Sequence, residues 1–195
     1  MDTSLFRHVN RFADHTSWLH PFAVAYAKDG IVVFAALMVL AFWRARQGQD
    51  LAGEAGAAWA GAAALVALGL GQLIGGAIDR DRPYENLAHV HVLVSRTTDF
   101  SIPSDHATAV GAVAIALLFV DRKIGIVAAV LAVLMAATRV YVGAHYPTDV
   151  LAGLALGGLV ALVGARPATR LLTTILARAA ALPGLSAVIG RPSTA

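Results

Sequence analysis

Apolar residues run through this chain in long blocks separated by short charged ones, and the blocks have membrane length. Residues 18–43 are apolar except at Lys28-Asp29-Gly30, residues 55–78 are rich in Gly and Ala, and further blocks cover 104–120, 124–141 and 147–165. About 20 apolar residues carry a helix across a bilayer, so the pattern predicts about five transmembrane helices, the second able to pack closely through its small residues. Ahead of them, Leu5, Phe6, Val9 and Phe12 recur at helical spacing among Asp2, Arg7, Arg11 and Asp14. Residues 1–17 therefore read as an amphipathic helix at the interface rather than a cleaved leader, for which a long apolar stretch is missing. From residue 166 onward short apolar groups alternate with Arg170 and Arg178, a tail expected to lie on the membrane surface. No repeat or linker divides the chain. The expected fold is all-α: an integral membrane helical bundle forming one domain over residues 1–195.

Composition sharpens this picture. Of 195 residues, 58% are hydrophobic and 14% charged, with a mean hydropathy of +0.69. An ordinary soluble domain is about a quarter charged, so a soluble enzyme and a disordered chain are both excluded. Cysteine is absent, which removes disulfides, zinc–thiolate sites and thiol catalysis. Five spans distribute the linkers between two faces. One face receives Arg44, Arg46, Arg122, Lys123, Arg166, Arg170, Arg178 and Arg191; the other receives the amino terminus, residues 79–103 and residues 142–146. The positive-inside rule makes the first face cytoplasmic, so the long 79–103 linker faces outward. The basic residues form no patch with interleaved aromatics, which argues against nucleic acid.

Three short motifs then fall on the outward face. Arg80-Asp81-Arg82-Pro83 ends the second span; a guanidinium there suits bidentate phosphate binding, although a charge cluster closing a helix would look the same. Pro103-Ser104-Asp105-His106 opens the third span. Ser104 suits an N-cap, but ionisable groups at a span boundary are costly unless used, and a helix amino terminus is an anion site. The third motif runs from Thr138-Arg139 to His145-Tyr146-Pro147-Thr148-Asp149. Pro147 suits the first turn of the last span. A carboxylate four residues past His145 is expected to accept one imidazole N–H, fixing the tautomer and leaving the other nitrogen to attack.

Together these segments resemble the three-part signature of the type 2 phosphatidic acid phosphatase superfamily: Lys-x6-Arg-Pro, Pro-Ser-Gly-His and Ser-Arg-x5-His-x3-Asp. The resemblance covers residues 75–149 or so. With Asp105 in the Gly position, it is most similar to the bacterial undecaprenyl-diphosphate phosphatase branch, the bacitracin-resistance type. Two other departures stand out: the signature's lysine falls on Gly75 and its serine on Thr138. The resemblance implies that His145 is the nucleophile, that Asp149 orients it, and that His106 is general acid and then general base. It implies that Arg82, Arg139, Ser104 and Thr138 hold phosphate oxygens, with Asp105 beside them, and that no metal or cofactor takes part. Two further cations come into question as phosphate ligands: Arg80, and Lys28 of the first span in place of the missing lysine. The implied substrate is a lipid diphosphate drawn from the bilayer, undecaprenyl diphosphate, in a bacterial plasma membrane. A broader lipid phosphatase acting on phosphatidic acid or phosphatidylglycerophosphate stays open, as does a polyprenyl-phosphate carrier or flippase without turnover. Oligomeric state is not legible. His89, His91, Arg96 and Asp99 read as members of a solvated loop.

Overall fold

The computed structural model describes residues 1–180, and all regular structure within them is helical. The chain forms α1 (Asp2–Asp14), a 3-10 turn (Ser17–Leu19), α2 (His20–Asp29), α3 (Ile31–Gln47), α4 (Leu51–Ile78), the short α5 (Pro83–Asn86), α6 (Asp105–Val120), α7 (Arg122–Tyr141) and α8 (Pro147–Ala180). Side-chain caps set two of these starts. The Asp50 carboxylate accepts from the Gly53 amide at 2.9 Å, and the Asp121 carboxylate accepts from the Lys123 and Ile124 amides at 2.9 and 3.1 Å. Each pairing satisfies amides that a helix start leaves without partners.

The first apolar block differs from a single straight span. It breaks at Gly30, where α3 leaves α2 at 55°, and the break carries Lys28 and Asp29 to the exposed surface. Among the described residues α4, α7 and α8 are each long and apolar enough to cross a membrane, as is the bent α2–α3 pair taken together. The 16 residues of α6 reach only about 24 Å at 1.5 Å per residue. That length suffices because α6 is the central helix. It packs against α4, α7 and α8, and Ala107 to Ala114 are all buried. Protein wraps it, so it presents little surface to lipid.

The last helix also departs from expectation. Instead of ending near residue 165 it continues through Pro167 to Ala180, carrying Arg170 and Arg178 on the same helix. Leu171, Leu172, Ile175 and Leu176 keep the apolar helical period beyond the proline. Arg191 and the rest of the expected tail lie outside the described residues.

Between helices in lipid the driving force is close packing rather than water exclusion, and α6 and α8 show how it is reached. A Cβ on Gly157 would collide with the Thr108 carbonyl oxygen and stand 2.7 Å from the Ala112 nitrogen; one on Gly153 would stand 2.7 Å from the Ser104 carbonyl oxygen. These backbones touch because glycine faces them. The same seam ends at the motifs, where the Ser104 amide donates to the Asp149 carbonyl at 3.0 Å. Val110, Leu117, Phe34 and Met135 fill the core beside it.

The amino-terminal helix does more than lie at an interface. Phe6 is fully buried and meets the Tyr146 ring at 5.5 Å. The Asn10 amide group donates to the His91 carbonyl at 2.8 Å and accepts from the His91 amide at 2.9 Å. His91 also pairs with Asp14. The 79–103 linker is therefore clamped onto α1, where the sequence suggested a solvated loop.

Candidate active site

The three motifs converge at one end of the bundle. His145 lies in the turn between α7 and α8, fully buried. Its Nδ1 stands 2.8 Å from the Ser101 carbonyl oxygen. A carbonyl only accepts, so Nδ1 carries the proton and donates. The second nitrogen, Nε2, is then an acceptor, and Arg82 Nη1 donates to it at 3.1 Å. Burial pulls the His145 pKa well below 6.5, and the charges of Arg82, Arg139 and His106 act in the same direction against the opposing hydrogen bond to Ser101. The imidazole is thus neutral at neutral pH with its lone pair directed at a guanidinium. Gly143, two residues earlier, makes this turn at φ +79°, and a Cβ there would stand 2.5 Å from the His91 carbonyl oxygen. Position and left-handed backbone both call for glycine.

Asp149 corrects the expected His–Asp contact. Its Oδ2 is 3.9 Å from His145 Nδ1, beyond hydrogen-bonding range. Instead Oδ2 accepts from the Ser101 hydroxyl at 2.6 Å and the Tyr146 amide at 2.8 Å, while Oδ1 accepts from Arg80 Nη1 at 2.7 Å. Ser101 is the link: its hydroxyl bonds Asp149 and its carbonyl bonds the histidine. Asp149 orients His145 through one intervening residue.

Arg80 is committed elsewhere than to phosphate. Besides Asp149 it donates to Asp2 at 2.6 Å and to the Thr148 hydroxyl at 2.7 Å, and it stacks over the Tyr146 ring at 4.1 Å. Its donors fasten α1 to α8. Thr138 likewise spends its hydroxyl proton on the Leu134 carbonyl, 2.7 Å away in its own helix, so the helical backbone outcompetes the role expected for it. Asp105 accepts from Gln72 Nε2 with both oxygens, at 3.0 and 3.2 Å; the carboxylate is turned to α4 and offers no donor to an anion.

Arg82, Arg139 and Ser104 remain as anion donors beside His145 and His106. Arg82 is anchored by Asp99 at 3.0 Å through Nη2, by the Asp99 carbonyl at 3.3 Å through Nε, and by the Ala144 carbonyl at 3.1 Å through Nη1. Burial alone would raise the Asp99 pKa, but the Thr97 hydrogen bond and the Arg82 charge hold it below the usual carboxylate range. Arg139 is buried with Nη1 on the Ala27 carbonyl at 3.3 Å, and its Nε has no protein partner. The Ser104 hydroxyl is fully buried and equally unpartnered, making no cap bond to its own helix. Buried donors without partners are expensive, and these two flank the start of α6, whose first-turn amides also lack helical partners. Donors alone, at a helix amino terminus, match a phosphate. Among the described residues no group of three or more His, Cys, Asp or Glu side chains is placed to hold a metal.

The lysine missing at Gly75 also has a structural reason. A Cβ on Gly75 would stand 2.9 Å from the Phe100 ring and 3.2 Å from the Ile102 carbonyl; the aromatic ring occupies the path a lysine would take. Lys28 sits exposed on the last turn of α2, without a protein partner among the described residues. It follows Ala27, whose carbonyl bonds Arg139, so α2 reaches the site although Lys28 makes no contact there. Nothing in the sequence marks Ser101, which acts through its backbone, and Asp99, expected in a solvated loop, is instead the partner of Arg82. An Asp seventeen residues from Arg82 carries no spacing signal.

A helical bundle in the membrane with a buried neutral histidine, arginines and a helix start around one point defines a membrane phosphatase. The chain belongs to the PAP2 superfamily, whose family model matches residues 56–172 and spans all three motifs. It is 34% identical to undecaprenyl-diphosphatase BcrC of Bacillus subtilis over 155 residues, covering 79% of this chain and 77% of that one. It is also 34% identical to the putative undecaprenyl-diphosphatase YbjG of Escherichia coli over 169 residues, covering 85% and 81%. In fold it is similar to a transmembrane PAP2-type phosphatidylglycerolphosphate phosphatase from Bacillus subtilis, with a TM-score of 0.52 at 21% identity, covering 83% of this chain and 81% of that one.

Proposed function

We propose that the protein hydrolyses undecaprenyl diphosphate to undecaprenyl phosphate and inorganic phosphate through a phosphohistidine on His145, at the outer face of a bacterial plasma membrane. The observation that carries this reading is the orientation of His145: Nδ1 donating to Ser101 and Nε2 presented, unprotonated, to Arg82. The lipid is supported by the relatives named undecaprenyl-diphosphatase that cover most of the chain.

In this mechanism Arg82 exchanges its bond to Nε2 for oxygens of the terminal phosphoryl group, joined by Arg139, the Ser104 hydroxyl and the α6 amides. Nε2 attacks the terminal phosphorus in line. The bridging P–O bond breaks, and His106 gives its proton to the departing undecaprenyl phosphate. Water then attacks the phosphohistidine, His106 takes the water's proton, and the N–P bond breaks to release phosphate. Phosphoryl transfer asks for positioning and charge stabilisation above all, and these groups supply both.

Phosphate release measured in parallel from undecaprenyl diphosphate, phosphatidic acid and phosphatidylglycerophosphate tests the substrate. The diphosphate should be preferred in kcat/KM by at least tenfold, about 1.4 kcal/mol; equal rates would favour the broader lipid phosphatase, and no release from any would favour a carrier. The acid limb of kcat/KM reports the essential base of the free enzyme. Because burial lowers the His145 pKa, that limb should fall below 6.5 once substrate ionisation is allowed for; a limb at or above 6.5 contradicts a buried neutral nucleophile. For orientation, His89→Cys gives a single thiol in a chain without cysteine. An impermeant maleimide should label it from outside intact cells, and labelling only in inverted vesicles would reverse the topology. Lys28→Met should lower turnover at least tenfold if the ammonium serves the substrate from α2; unchanged kinetics would leave it a surface charge.

A further inference from the structure

One cavity stands apart from the candidate site. It has a volume of about 680 Å³ and lies between the start of α4, the end of α6 and the middle of α8. From Asp149 to Arg166 along α8 is about 26 Å at 1.5 Å per residue, so the cavity is at the opposite end of the bundle. Its wall has two chemistries. Trp59, Phe119, Val120 and Leu162 line the apolar part, and Arg166 and Arg170 the polar rim. Trp59 is fixed by its indole N–H, which donates to the Ala161 carbonyl at 3.1 Å.

The two arginines stand one helical turn apart, so they share a face. Both are exposed, and neither guanidinium has an ion-pair or hydrogen-bond partner among the described residues. The nearby Asp50 carboxylate is bonded to the Gly53 amide as the cap of α4. Arg44, which reaches Asp121 at 3.1 Å, shows that this end of the bundle neutralises its carboxylates locally. Arg122 and Lys123 add further positive charge to the same end. Two free guanidiniums over an apolar slot complement an amphiphile with a phosphate headgroup: phosphate on Arg166 and Arg170, one acyl chain along Trp59 and Leu162. Basic pockets between transmembrane helices bind anionic lipid headgroups in this way.

We propose that this cavity is a binding site for an anionic glycerophospholipid of the leaflet opposite the active site, separate from the substrate position. The site joins α4, α6 and α8, whose far ends lie next to Arg82, Ser104 and Asp149, so its occupant braces the bundle without touching the chemistry.

Trp59 provides the readout once Trp18 and Trp43 are replaced by Phe. The purified protein is reconstituted in vesicles of brominated phosphatidylglycerol or of equally brominated phosphatidylcholine, each mixed with unbrominated lipid. Trp59 fluorescence should be quenched more by phosphatidylglycerol at equal bromine content, saturating as its fraction rises. In Arg166→Gln/Arg170→Gln the two lipids should quench alike, while phosphate release per folded molecule stays within twofold of the parent. Quenching that follows bromine content regardless of headgroup overturns the proposal, as does headgroup-selective quenching that survives the double substitution. If undecaprenyl phosphate displaces the quencher well below the phosphatidylglycerol concentration, the site belongs to that lipid and the phospholipid assignment is wrong.

Discussion

His145→Ala is expected to lower phosphate release by at least a thousandfold, about 4 kcal/mol of transition-state stabilisation, while the variant still folds. No other described side chain offers a neutral, buried nitrogen held by a backbone carbonyl on one side and an arginine on the other. In the proposed mechanism, removing it deletes the nucleophile and leaves the charges of Arg82 and Arg139 in place, so substrate affinity should change far less than turnover. Rapid quench into alkaline detergent with a labelled terminal phosphate should find a base-stable, acid-labile phosphoenzyme in the parent and none in His145→Ala. His106→Asn should differ. It retains the nucleophile, so residual labelling with slowed decay is expected, because the group that activates water is gone. A labelled His145→Ala protein, or one retaining a tenth of parental turnover, would remove His145 from the nucleophile role.

Gly157→Val should cost the fold more than any exchange on the lipid-facing side of α8. The added Cβ meets backbone atoms of α6 on both sides, the Thr108 carbonyl and the Ala112 nitrogen, and backbone cannot rotate away as a side chain can. Overpacking of this kind costs about 3 kcal/mol when a core cannot adjust, roughly 6–12 °C in Tm for a chain of this size. The neighbouring glycine supplies the control. A Cβ on Gly158 would meet only Ile115 Cγ1, at 3.2 Å, and that side chain can shift, so Gly158→Ala should unfold within about 2 °C of the parent. Thermal unfolding of both variants in the same detergent decides the matter. A Gly157→Val protein as stable as the parent would mean that the α6–α8 contact is looser than the geometry indicates.

Much of this arrangement was legible in the order of residues, for stated reasons. Helical apolar blocks announce spans because the bilayer requires internal backbone pairing, and Arg82, Ser104, His106, Arg139 and His145 stood out as polar groups at span ends. The break at Gly30 was less legible, since apolar residues continue on either side of it. Continuation of α8 past Pro167 was not legible because short apolar groups alternating with Arg170 and Arg178 look like a surface tail. The site departed from the sequence where backbone does the work. Ser101 orients His145 with its carbonyl, which every residue possesses, and Asp149 acts on the histidine at one remove. Arg80 and Thr138 look like phosphate ligands by type, yet competing partners within the fold, Asp2, Asp149 and the Leu134 carbonyl, take their donors.

The anchoring of α1 has a consequence for how the protein is made. Asp2 is bonded far along the chain: its partners are Arg80, the Thr148 amide and the Thr148 hydroxyl, the last two at 3.0 and 2.6 Å. Because α1 precedes both partners in chain order, its contact must wait until the start of α8 has been synthesised. Only then can Arg80 be held between Asp2 and Asp149, and the turn bearing His145 be locked. A bulky partner fused directly before Asp2 would press on that latch.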